Sequence, residues 1–290
     1  MGLNQNTDIP NRADDFYRND IVWTGDNAIE FDYGERNIRA YENRFTNAGN
    51  NPVSFQPLWG GPAYAFRNVI FNSQAGPYKL NNDPTGFYIL HNTVVKPGWT
   101  WTQYGGEASN FQMFNNIMIG TTNGVDMTTF IRLAQINYNA WRPDGQFKFS
   151  SFWNNFAELK QNSPYEHNGI LLASMPFANP VPIPASYTVF VQPANVTLSP
   201  ASPAVDAGLR LPNINDDYTG NAPDLGAWEI DRPTPSYGPR PQGASSQPPA
   251  PDCTASAGFA SPCVNNVPVL TLGTPTLSGS NVNFNVNVNL

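Results

Sequence analysis

Apolar and polar residues alternate over short stretches of this chain, and the stretches recur in register. Five segments align: FYRNDIV (16–22), YENRFTN (41–47), FRNVIFN (66–72), LHNTVVK (90–96) and FNNIMIG (114–120). Each carries an asparagine at one place, Asn19, Asn43, Asn68, Asn92 and Asn116, giving spacings of 24, 25, 24 and 24 residues. Two positions earlier stand Tyr17, Tyr41, Phe66, Leu90 and Phe114; two positions later stand Ile21, Phe45, Ile70, Val94 and Met118. Apolar, asparagine, apolar at every second residue is the period of a strand. Short strands separated by Gly, Pro and Asn turns, repeating at this interval, predict one coil of a parallel β-helix per repeat.

In such a coil, three strands and three turns bring the chain back above its start, about 4.8 Å higher. Equivalent residues then stack. Stacked asparagines pass hydrogen bonds from amide to amide and satisfy a polar group at a buried turn, so the five asparagines are structural before they are anything else. The preceding column, Arg18, Glu42, Arg67, His91 and Asn115, is expected to point outward, with Arg–Glu–Arg as a ladder of opposite charges on a solvated face. First strands are placed at AIEFDY (28–33), VSFQPLW (53–59), YKLNN (78–82) and WTWTQY (99–104). After Asn116 the pattern loosens, and INYNAW (136–141) and FWNNF (152–156) read as worn copies.

The far end changes character. Residues 199–231 are crowded with Asp, Gly and Pro, a mark of turns. Asp206, Asp216, Asp217, Asp224 and Glu229 resemble a Ca²⁺ site in composition but follow no EF-hand or nonapeptide spacing, so turns sealing the last coil are the expectation. The resulting fold class is all-β: a right-handed parallel β-helix over 1–232, a proline-rich linker with a cysteine pair over 233–265, and a partial, immunoglobulin-like β segment over 266–290 that alternates apolar and polar residues. Cys253 and Cys263, ten residues apart, suit a local disulfide in an oxidising compartment or stand as two free thiols.

Composition narrows the function classes. Charged residues make up 13% of the chain, well below the usual ~25%. Neutral polar groups and aromatics therefore dominate the surface, as suits a protein that handles sugars. A net charge of −7 and a pI near 4.7 leave no basic stripe to displace counterions from phosphates, so nucleic acid is excluded as a partner. No apolar run reaches the 18 residues of a membrane span. The opening MGLNQNTDIPNRADD has neither a basic start nor an apolar core. Because the repeat is entered partway, an extracellular or cell-surface protein whose leader is absent from this version is expected, acting as a monomer.

The 24-residue coils with their asparagines resemble the right-handed parallel β-helix proteins of the pectate-lyase-like superfamily, bacterial and secreted. The run GGPAYAFRNVIFN…YKLNNDPTGFYILHNTVV and the ending SPAVDAG…LPNINDDYTGNAPDLGAWE carry the likeness, which covers about residues 15–232. The resemblance implies a polysaccharide groove above the first strand of each coil. It also implies either an Arg or Lys base with Ca²⁺ held by acidic side chains, in lyases, or paired or tripled aspartates, in hydrolases. Neither set stands out in this chain.

On the first-strand face, Glu30, Asp32, Gln56, Lys79, Gln103 and Arg132 are the outward candidates, with Trp59, Trp99, Trp101 and Tyr104 close by as sugar-stacking rings. Arg67 and His91 join the substrate-binding candidates. Lys79, one or two coils from Glu30 and Asp32 and so roughly 5–10 Å along the axis, would serve as the base of a β-elimination. Glu30 with Asp32 would serve as a hydrolytic pair, although neighbours two apart on one strand lie close for that work. Ordinary solvated side chains are the competing explanation. Two functions follow: a polysaccharide-degrading enzyme, lyase-like more than hydrolase-like, with no cofactor assigned and Ca²⁺ as the one the resemblance allows, or a non-catalytic adhesion or glycan-binding stalk.

Overall fold

The computed structural model describes residues 11–122 and 124–239, together with strand segments at 269–272, 276–278, 281–283 and 286–289. The chain divides after Pro239 into two compact units. In the second, strand Val269–Leu272 pairs antiparallel with Val286–Asn289, and Thr276–Ser278 with Asn281–Asn283. Most of the expected linker, including both cysteines, lies outside the described residues.

The first unit is a parallel β-solenoid with three faces. Face I holds Ile29–Glu30, Val53–Ser54 and Tyr78–Lys79, then Trp101–Gln103, Val125–Met127 and Phe147–Phe149. Face II runs from Asp15–Tyr17 through Ile38–Tyr41, Trp59–Phe66, Thr85–Leu90 and Glu107–Phe114 to Phe130–Asn137. Face III runs from Asp20–Thr24 through Arg44–Ala48, Val69–Ser73, Thr93–Val95, Ile117–Ile119 and Ala140–Arg142 to Ile170–Leu171. Neighbouring strands on faces II and III pair in parallel, one coil apart. Inside, rings stack coil upon coil: Phe55 on Phe87 at 5.1 Å and Phe87 on Phe111 at 4.7 Å. These separations equal the strand spacing, so the core repeats the rise of the backbone.

The asparagine ladder is present and longer than the five repeats imply. Each side-chain amide donates to the carbonyl oxygen of the next coil's asparagine, from Asn19 through Asn43, Asn68, Asn92 and Asn116 to Asn139, at 2.8–3.0 Å. The second amide hydrogen returns to a backbone carbonyl of the coil before, as from Asn92 to Ala65 at 2.9 Å. Asn139, in the worn repeat, keeps its place. Beyond it the ladder ends on a residue of another type, for Asn139 donates to Glu166 Oε1 at 2.8 Å. All the amides point their N–H groups the same way, so their dipoles add, and the two oxygens of the Glu166 carboxyl accept at the donor end.

Two expectations need correcting. The alternation does not run straight through the asparagine, because the residue before it adopts a left-handed conformation: φ is 56° at Arg18, 50° at Glu42, 53° at Arg67, 51° at His91 and 61° at Asn115. That turn reverses the parity. The residues three before each asparagine, such as Ala40, Ala65, Ile89 and Met113, therefore fill the core, while Tyr17, Tyr41, Phe66, Leu90 and Phe114 face out from face II. Nor do residues 199–231 seal the last coil. That end is closed by a short helix, Phe156–Asn162, which buries Phe156 and Leu159 in the core. The C-terminal segment instead runs back along the solenoid, from Leu172 beside Trp141 to Gly238, whose N–H donates to Arg18 O. It builds a second apolar core on the outer side of face III, where Val69, Phe71, Val95, Ile117 and Ile119 meet Phe177, Leu198, Leu225 and Trp228. From Val69 onward face III is thus buried on both sides, which explains why the runs after Asn68, Asn92 and Asn116 (VIF, TVV, IMI) are almost wholly apolar, whereas those after Asn19 and Asn43 (DIV, RFT) carry charge.

Candidate functional site

Face I carries the first-strand candidates. Glu30, Ser54 and Lys79 share one column in register, so Glu30 and Lys79 stand two coils apart with Ser54 between them. Asp32 sits at the end of its strand, 8% exposed. One of its oxygens accepts the Ser54 hydroxyl at 2.6 Å and the Gln56 N–H at 3.3 Å. Burial raises the Asp32 pKa, the Ser54 bond and the nearby Lys79 ammonium work against it, and Glu30 adds to the rise. Glu30 itself accepts from Asn27 at 3.0 Å. Asp32 is engaged in holding its own turn, and it reaches solvent poorly for a group that must meet a substrate.

The remaining predicted residues disperse. Trp59 and Tyr104 are 60% and 59% exposed. Trp59 packs edge-on against Tyr33, and the Tyr104 hydroxyl reaches Asp126 at 3.4 Å. Trp99 is half-buried. Trp101 and Gln103 point inward, opposite to Tyr104, because strand alternation puts residues 101 and 104 on different sides. There they splice the two hydrogen-bonded runs of face I: the Trp101 indole donates to Tyr78 O at 3.1 Å, and Gln103 Oε1 accepts the Leu80 N–H at 3.0 Å. Arg132 lies on face II, paired with Glu107 at 2.9 Å.

The outward column before the ladder is also resolved differently. Arg18 pairs with Glu42 at 2.6 Å as expected, but Arg67 turns to Asp217 of the C-terminal segment at 2.6 Å. His91 is buried beneath that segment. Its Nε2 accepts from Asn115 and Asn215 at 2.9 and 2.7 Å, which leaves Nδ1–H to donate to Gly226 O at 3.3 Å. Burial and the Arg67 charge lower its pKa to about 3, so it is a neutral clasp between solenoid and segment, closed to a ligand.

The C-terminal carboxylates stitch turns. Asp224 accepts the N–H groups of Asp206 and Ile230, Glu229 those of Thr219 and Asp224, and Asp206 those of Asn221 and Ala222. No group of three His, Cys, Asp or Glu side chains placed to hold a metal ion occurs among the described residues. The Ca²⁺ implied by the lyase resemblance therefore finds no fitting ligand set there, and no chemical step is derived through it.

A cleft of about 450 Å³ opens instead on face II, between the sheet and residues 211–214 of the returning segment. Its floor is a register row one residue wide: Arg39, Tyr64, Tyr88 and Gln112 are successive Cα partners, continued by Asp15 at one end and Gln135 at the other. All six lie four residues before a ladder asparagine, so the repeat that places the ladder places this row too. Tyr64 and Tyr88 stack at 4.9 Å, nearly coplanar in orientation. Each ring covers one face of the other, and Arg39 and Gln112 flank the pair in register. Phe66 and Leu90 supply an apolar strip beside the row, and Leu211 and Ile214 the wall. The cleft thus offers a line of hydroxyl, guanidinium and amide groups at coil spacing, next to an apolar edge. Sequence inspection overlooked it because the parity reversal at the left-handed residue hides which columns face out.

Among the described residues, no helix is long and apolar enough to cross a membrane. No protein-family model, no curated protein and no solved structure matches the chain.

Proposed function

We propose that this protein is a secreted glycan-binding β-helix that holds an extended polysaccharide in the face II cleft without cutting it. The observation that carries the reading is the uninterrupted row Arg39–Tyr64–Tyr88–Gln112 along an open cleft. A polyhydroxylated chain laid along the solenoid axis meets one polar side chain per coil, and each of these groups both fits and tolerates hydroxyl partners. The exposed rings of Trp59, at the start of a face II strand, and Tyr104, just past a face I strand, add stacking surface. Membership in the pectate-lyase-like superfamily belongs to the same proposal and rests on coil length, ladder and motif likeness.

Cleavage is the less supported alternative. β-Elimination needs a base and a cation converging on one sugar, whereas Glu30 and Lys79 stand two coils apart and Asp32 is engaged by Ser54 and Gln56. The test is affinity electrophoresis and calorimetry of the full chain with soluble glucans, galactomannan and polygalacturonate, coupled to assays for reducing ends and unsaturated products. Binding without product release is expected. Tyr88→Ala, which opens the middle of the row, is expected to weaken binding at least tenfold. Product release that survives Tyr88→Ala and disappears with Lys79→Ala would overturn the reading in favour of a face I enzyme.

A further inference from the structure

We infer that the face II cleft selects uncharged glycans over uronate-bearing ones, and that Asp15 is the residue that imposes the choice. This rests on the reading that the cleft binds glycan. Arg39 is the only charged residue in the cleft lining among the described residues, and a bare guanidinium there would favour acidic sugars. It is not bare. Asp15, its register partner in the coil above, grips it through both oxygens: Nε to Oδ1 at 2.6 Å and Nη2 to Oδ2 at 2.7 Å. The charge is compensated by the strongest geometry available to the pair, with the guanidinium carbon 5.9 Å from the centre of the Tyr41 ring.

Compensation does not exhaust Arg39. A guanidinium has five N–H groups, and the fork with Asp15 uses two, so three remain for hydroxyl oxygens. The rest of the row, Tyr64, Tyr88 and Gln112, is neutral and hydrogen-bonding. A sugar carboxylate placed beside Arg39 would also lie beside the Asp15 carboxylate, and the repulsion offsets the attraction. A neutral sugar incurs no such opposition. Asp15 therefore acts as a specificity residue through Arg39, without touching the glycan itself.

The pair is on the surface, 42% and 32% exposed, so removing one charge leaves the fold intact while changing the field in the cleft. The experiment measures the affinity of the full chain for a neutral glucan or galactomannan and for polygalacturonate at low salt, with wild type, Asp15→Asn and the double variant Asp15→Asn/Arg39→Gln. Thermal melts by circular dichroism check folding. The expected result is that wild type prefers the neutral polymer. Asp15→Asn shifts the affinity ratio toward polygalacturonate at least tenfold, the gain fades in 0.5 M salt because it is Coulombic, and Arg39→Gln erases it. A wild type that binds polygalacturonate as well as the neutral polymers would overturn the selectivity and leave glycan binding standing. An unchanged ratio in folded Asp15→Asn would overturn the role of Asp15. A wild type that binds no glycan at all would instead overturn the reading of the cleft. Should Asp15→Asn melt far below wild type, Asp15→Ser replaces it in the same measurement, with the same outcomes.

Discussion

Asn92→Ala tests the ladder at its most enclosed point. In the native chain, Asn92 Oδ1 accepts the Asn68 backbone N–H at 3.0 Å and the Asn68 amide at 2.9 Å, while its own amide donates to Ala65 O and Asn116 Oδ1, both at 2.9 Å. Truncation leaves two Asn68 donors without an acceptor in a site that is fully buried. Asn116 Oδ1 retains the Asn92 backbone N–H at 2.8 Å, so it is not orphaned. Two stranded donors at about 1–3 kcal/mol each, with a small cavity added, give a destabilisation of about 4 kcal/mol. Asn19→Ala is the comparison. Asn19 is the open end of the ladder and half-buried; its loss still leaves Asn43 Oδ1 with the Asn19 backbone N–H at 3.1 Å. There the cost is about 1 kcal/mol or less. Urea unfolding followed by tryptophan fluorescence and far-ultraviolet circular dichroism, with slopes compared as well as midpoints, measures both. The ladder argument would be refuted if the two variants unfolded at the same midpoint. Asn92→Asp should be no better than Asn92→Ala, since a carboxylate offers nothing to Ala65 O and faces another oxygen on Asn116.

Two buried groups give opposite pH dependences. His91 has its folded pKa lowered to about 3 from 6.5, so the unfolded chain binds the extra proton and stability falls as pH drops from about 6.5 toward 3. Glu166 has its folded pKa raised to about 7 from 4.5 by burial, against the bonds from Asn139 and Trp141. Its folded form holds the extra proton, so stability falls as pH rises from about 4.5 to 7. Each contributes a slope of about 1.4 kcal/mol per pH unit within its window, and the two cancel between pH 4.5 and 6.5. His91→Gln should therefore remove the acid sensitivity below pH 4.5, and Glu166→Gln should remove the loss toward pH 7; denaturation curves at half-unit pH steps read both, and unchanged slopes would contradict the assignment. Of the two tryptophans, buried Trp101→Ala should cost about 3–5 kcal/mol, as for a buried ring, whereas exposed Trp59→Ala should cost under about 1 kcal/mol. Equal costs in chemical denaturation would place one of the two rings wrongly.

Much of the face II cleft could be read from the chain once the parity was known. Arg39, Tyr64, Tyr88 and Gln112 recur at the ladder's own spacing, each four residues before its asparagine. What hid them was a local backbone event, the left-handed residue ahead of each asparagine, which no alternation of residue types announces when Arg, Glu, His and Asn all occupy it. The same event misdirected the reading of Leu90 and Phe114. Trp101 was legible in principle, since WTWTQY alternates and cannot place Trp101 and Tyr104 on one side.

The sequence by itself determined the coil: a period of 24 residues, a buried asparagine once per turn, and three strands whose residues stack on their own kind. Those are local and periodic properties, and stacking by a constant rise turns a sequence interval directly into a distance. Only the tertiary structure decided where residues 172–239 lie, and with that the fates of His91, Arg67 and the cleft wall at 211–214. The segment has no period, and many of its partners lie far along the chain, as Leu209 does from Asn115 (94 residues) and Asp217 from Arg67 (150 residues). Its position depends on which face of the finished solenoid exposes apolar residues in need of cover, a property that exists only after the coils have closed.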